Sequence, residues 1–109
     1  MAMLVYHYAH GKFEEALGDM AASAKPFGKR LCDAYLAYLA VLGKSNFPPS
    51  LWSRFEALTL ELTARDGEFD GEGSVQATTR HMDGRVAARL IREIGSISYS
   101  LSHHYHSIE

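Results

Sequence analysis

The chain has 109 residues, of which 47% are apolar and 22% charged, with a formal net charge of −2 and one cysteine. That length fits one domain with a modest core, and the balance of apolar and charged residues excludes a disordered chain. A charge near zero gives no general pull toward nucleic acid or an anionic membrane. With Cys32 alone no intramolecular disulfide can form, which fits a reducing, cytoplasmic setting. The Ala-rich usage and small size point to a bacterial source. Met1–His10 lacks a basic region followed by a long apolar stretch, so no secretory leader is expected. The longest apolar run, Ala34–Leu42, is too short to span a bilayer.

Four stretches carry apolar residues at helical spacing, and the predicted fold class is all-α: a single-domain, antiparallel four-helix bundle with a long C-terminal helix. The first helix is expected from Met3 to Ala24, with Leu4, Tyr8, Phe13, Leu17, Met20 and Ala24 inward and a break near Gly11. Pro26 ends it, because the residue before a proline is pushed out of the α region. The second helix is expected from Pro26 or Phe27 to Leu42, closed by Gly43. Its stripe is Phe27, Leu31, Tyr35, Tyr38 and Leu42, and Leu36, Leu39 and Val41 make it apolar on other sides too. That pattern reads as a central helix, or as one that also meets a partner.

Ser45–Pro49 is a turn, followed by a third helix from about Pro49 to Arg65 with Leu51, Phe55, Leu58 and Leu62 inward and Trp52 beside them. Asp66–Gly73 reads as a flexible acidic loop. The last helix carries Met82, Val86, Leu90, Ile94, Ile97, Leu101 and Tyr105, three or four apart. Its start is open between Ser74 or Thr78 and a turn at Asp83-Gly84, so Val75–Met82 is unassigned. Gly95 is expected at a close helix contact. A helix this long projects beyond its neighbours in a small bundle, and a twofold homodimer is the expected cover.

Two local resemblances accompany this pattern. Gly11-Lys12-Phe13-Glu14-Glu15-Ala16-Leu17, with Met20, resembles the middle of a tetratricopeptide repeat, but only one copy is present and such folds need several stacked units. Asp66, Glu68, Asp70 and Gly71 resemble the opening of a calcium-binding EF-hand loop. The closing position, which supplies a two-oxygen carboxylate in that family, is Ala77 here.

Several clusters are candidates for function. His7 and His10, like His103 and His106, are spaced to share one helix face. If the first and last helices are antiparallel the pairs approach, and four imidazoles suit zinc, nickel or copper. The same cluster would otherwise make a pH-sensitive interface, or simply cap helix ends. His81, Arg85, Arg89 and Arg92 form a basic stripe able to meet phosphates or an acidic partner, or a solvated face with Arg89 and Glu93 paired. Arg85, Arg89, Arg92, Trp52, Tyr35 and Tyr38 are therefore the expected partner contacts. No catalytic motif is present, and Cys32 lies in an apolar helix where a thiol is usually an inert small hydrophobe. The expected role is that of a non-enzymatic protein–protein interaction module, an adaptor, chaperone or inhibitor. A histidine metal site and a nucleic-acid-binding arginine face are the alternatives.

Overall fold

The computed structural model describes residues 2–107, with side chains for 6–104. The described chain is all-helical and contains five α-helices: α1 (Ala2–Ala22), α2 (Phe27–Ala34), α3 (Pro49–Leu62), α4 (Ser74–Arg80) and α5 (Gly84–Ser107). A π-helical turn, Tyr35–Leu39, prolongs α2, and a short 3₁₀ turn, Lys44–Asn46, precedes α3.

α1 runs unbroken through Gly11, contrary to the expected break there. Its buried face is Ala9, Phe13, Ala16 and Met20, a 4-3-4 spacing that lies along α5. Continuous packing against a long neighbour offsets the weak helix propensity of one glycine. The ring of Tyr6 meets that of His104 at 6.3 Å, so the two helices run antiparallel and the start of one lies by the end of the other. Tyr8, expected inward, is exposed. The side chains of Leu4 and Tyr105, placed on the inward stripes above, lie outside those described.

The second segment departs most from the regular pattern. The amide of Ala40 donates to the carbonyl of Tyr35 at 2.9 Å, five residues back, so one extra residue is accommodated in the final turn. Leu31, Tyr35, Leu39 and Leu42 are buried along this segment, while Leu36 and Val41 face outward. Phe27, expected on the stripe, is exposed and lies under the guanidinium of Arg30.

Phe47, from the link after the 3₁₀ turn, closes the core. It stacks on Phe55 of α3 at 4.8 Å, meets Phe13 of α1 edge-on at 6.0 Å, and lies 5.8 Å from Trp52. Phe55 also meets Phe13 and Tyr35, so one ring of α3 touches α1, the π turn and the link. Leu51, Phe55, Leu58 and Leu62 are all buried, as their spacing predicts. α3 is tied to α5 by Arg54, which grips Glu93 with two hydrogen bonds of 3.0 and 2.9 Å, and by Glu61 with Arg89 at 2.7 Å. These partly exposed pairs set register more than stability.

The last stretch divides. α4 ends at Arg80, and α5 begins after Asp83, whose carboxylate accepts the Arg85 amide at 2.6 Å as a cap. Of the last stripe, Leu90, Ile94, Ile97 and Leu101 are buried, while Met82 and Val86 are half-buried at the near end. Gly95 is not a close contact, since a Cβ there would meet nothing within 4 Å.

Phe55→Ala is expected to lower stability by about 3–5 kcal/mol, the cost of removing a buried phenyl ring that the rigid neighbours only partly replace. Urea denaturation followed by circular dichroism checks this. A loss under about 1 kcal/mol would mean that the ring cluster does not organise the core.

Candidate binding cleft

α2, α4 and the segment between α3 and α4 enclose an open cleft of about 610 Å³. Pro26, Gly28, Lys29 and Cys32 form one side, Gln76, Thr79, Arg80 and Met82 the other, and Phe69–Glu72 close the end.

Gly28 sets the spacing of the two walls. A Cβ at that position would stand 2.8 Å from the backbone carbonyl oxygen of Thr79, so only glycine lets α2 approach α4 this closely. On α4, Thr79 is buried and its hydroxyl donates to the carbonyl of Val75 at 2.8 Å. The neighbouring hydroxyl, Thr78 Oγ1, accepts the amide of Arg65 at 2.9 Å and anchors the start of the incoming segment. The Gly73 amide donates to Gln76 Oε1 at 2.6 Å, which caps α4.

Asp66–Gly73, expected to be a flexible acidic loop, is a folded arch. Glu72 turns inward, with its side chain only 7% exposed, and accepts the amide of Glu68 at 2.9 Å. Arg80 donates to Glu72 at 2.9 Å and to Glu68 at 3.0 Å, and its guanidinium lies 4.7 Å from the centroid of the Phe69 ring. His81 pairs with Glu68 as well. Gly67 passes against the carbonyl of Glu72, where a Cβ has no room, and Gly71 takes a φ of +83°, a left-handed turn that suits glycine. One arginine thus gathers two carboxylates and an aromatic ring from a segment with little apolar surface of its own.

No family model, no curated protein and no solved structure matches this chain.

The candidate residues named from sequence lie elsewhere. Tyr35 is buried, with its hydroxyl 3.1 Å from Thr59 Oγ1, and is a core residue, not an exposed contact. Tyr38 is half-buried and donates to Asp19 at 2.7 Å, and Trp52 is packed against Phe47 and Phe55. The basic stripe is interrupted. His81 lies at the end of α4, off α5, and faces Glu68, while Arg89 is taken by Glu61. Arg85 and Arg92 are exposed on α5.

Among the described histidines, His104 is the one seen against α1. His104 meets Tyr6, whereas His103 packs edge-on against Tyr99 at 4.5 Å. His10 lies 3.7 Å from Glu14, His7 is exposed, and the side chain of His106 is outside those described. Among the described residues no group of three or more His, Cys, Asp or Glu side chains converges as a metal site would. Of the EF-hand-like carboxylates, Glu68 is drawn to Arg80 and His81.

The arch is electrostatically tuned. The hydrogen bond from His81 holds the Glu68 carboxyl below its ordinary value of 4.5, and the one from Arg80 does the same for Glu72. Both groups favour the folded arch when ionised. Their contribution is complete above the ordinary carboxylate value and is lost as pH falls through the lower, folded values. The protection factors of the Glu68 and Glu72 amides, taken against the intrinsic exchange rate at each pH, are expected to fall on acidification below about pH 4.5, ahead of those in the α1–α5 core. Arg80→Gln should produce the same local loosening at neutral pH. Unchanged protection of the arch in that variant would show that Arg80 does not hold it.

Proposed function

We propose that this protein is a non-enzymatic interaction module that holds a segment of another protein in the cleft between α2, α4 and the 66–73 arch. The observation that carries this reading is the cleft itself, about 610 Å³ of open, partly apolar space with preformed walls. Its volume lies in the range of specific binding sites. Phe69 stands 62% exposed on one edge, and Phe27 is exposed in the first turn of α2. Exposed aromatic rings beside a concave site are the side chains that anchor partners. The wall is also ordered before binding by Arg80 and Gly28, which reduces the entropy lost on association. The underlying arrangement is read as an antiparallel four-helix bundle of α1, α2 with its π turn, α3 and α5, with α4 and the arch as an insertion that creates the cleft. A single free, buried thiol at Cys32 supports a cytoplasmic setting.

The test is quantitative capture from extracts of the native cells, comparing the natural chain with two variants. Lys29→Trp places an indole across the mouth of the cleft, and Leu60→Ser alters an exposed apolar residue away from it. Circular dichroism establishes that both fold. The reading expects the same proteins to be retained by the natural chain and Leu60→Ser, and reduced about tenfold by Lys29→Trp. Equal retention by all three would refute the cleft as the contact.

A second reading concerns self-association. The molecule measures 47 × 25 × 20 Å, and α5, at 24 residues, spans about 36 Å against about 21 Å for the 14 residues of α3. The paired ends of α1 and α5 expose Tyr8 and Tyr99, the latter 67% accessible. A second copy laid on those ends would cover both rings and make a twofold dimer. Light scattering at micromolar concentration should then give twice the chain mass, and Tyr8→Ser with Tyr99→Ser should return it to one. A monomer in the natural protein removes this reading and leaves the cleft untouched.

A further inference from the structure

We propose that the cleft selects a partner segment bearing a lysine or arginine flanked by apolar side chains, an inference that rests on the cleft being the partner site. The floor and the charge of the rim call for different things. Pro26, Cys32, Phe69 and Met82 give the lining an apolar component suited to methylene and aliphatic groups. The charged groups of the lining are Lys29, Arg80, Glu72 and Asp70. Three of them are already committed. Lys29 is 3.1 Å from Asp33, and Arg80 and Glu72 bind one another at 2.9 Å. Asp70 alone has no hydrogen-bonding or charged partner among the described residues.

The surroundings carry the same sign. Asp66, Glu68, Asp70 and Glu72 lie on one short arch, and Arg80 with His81 engages only Glu68 and Glu72. Asp66 has no partner among the described residues either. The lining's own charges balance, two cations against two carboxylates, but the arch side holds the surplus acid, and an incoming cation meets it at Asp70 without displacing an existing pair. An incoming carboxylate has no such opening. To reach a cation it must draw Lys29 from Asp33, which Lys25 also holds at 2.8 Å, or take Arg80 from Glu72, an exchange that strips the contact that folds the arch. A lysine or arginine suits both requirements, since its methylenes lie on apolar surface while its charged end stays at the wet rim.

The experiment is a nuclear magnetic resonance titration of the whole chain with three matched peptides, acetyl-Leu-Lys-Leu-amide, acetyl-Leu-Gln-Leu-amide and acetyl-Leu-Glu-Leu-amide. The amides of Gly28, Gly71, Gln76 and Met82, which line or edge the cleft, are the reporters. The lysine peptide is expected to bind about three- to fivefold more tightly than the glutamine peptide, the modest preference a solvent-exposed carboxylate confers. The glutamate peptide should bind weakest. Asp70→Asn should erase the preference for lysine over glutamine and leave the glutamine peptide unchanged. A glutamate peptide that binds as well as the lysine one overturns the inference, as do a preference that survives Asp70→Asn or an absence of shifts at the cleft. The broader reading fails on a different result, the retention of partners by Lys29→Trp, so the two can fall separately.

Discussion

The stacking of Phe47 on Phe55 is the contact on which the rest of the molecule depends. Phe55 belongs to α3, Phe47 to the irregular link before it, and the same ring group takes in Phe13 from α1 and Tyr35 from the π turn. Helices this short are marginal alone and persist because an apolar face is covered. A ring cluster shared by four pieces of chain makes that coverage mutual, and it fixes how α3 lies against α1. The ion pairs of Arg54 and Arg89 then set the register of α3 on α5 from the wet side.

The cleft follows from a second, local constraint. α4 has only seven residues and packs on α2 through a point where glycine replaces a side chain. α2 and α4 meet closely at Gly28, and the cleft lies beside that contact, with Gly28 and Thr79 in its lining. The arch spans that space instead of filling it, since its residues are mainly acidic and glycine and offer little to bury. Arg80 supplies the cohesion that apolar contact does not. The result is a concave surface with Asp70, unpaired among the described residues, in its lining.

Much of the helical content was legible from residue spacing. Leu51, Phe55, Leu58 and Leu62 recur once per turn and are buried together, and the same holds from Leu90 to Leu101. The Asp83-Gly84 turn was visible as one of two possible starts of the last helix, because aspartate is a strong cap. Other features were not readable. The π turn at Tyr35–Leu39 arises in a run of apolar residues whose spacing continues an ordinary helix equally well. The candidate site was hardly legible at all. Tyr35, Tyr38 and Trp52 looked like available aromatics, yet their rings and hydroxyls are engaged within the fold. Gly28, Thr79 and Arg80 carry no local signal, since each matters only through a residue distant in the chain.

Alone, the order of residues determined that this chain forms helices, where α3 begins, and which faces α3 and the middle of α5 bury. Those properties depend on neighbours within one or two turns, so the local pattern contains them. Only the tertiary structure decided that α2 and α4 would meet at Gly28, that Arg80 would draw the acidic segment into an arch, and that Asp70 would be left facing a cavity. Each of those outcomes depends on distances between segments, and such distances are set by the packing of the whole core.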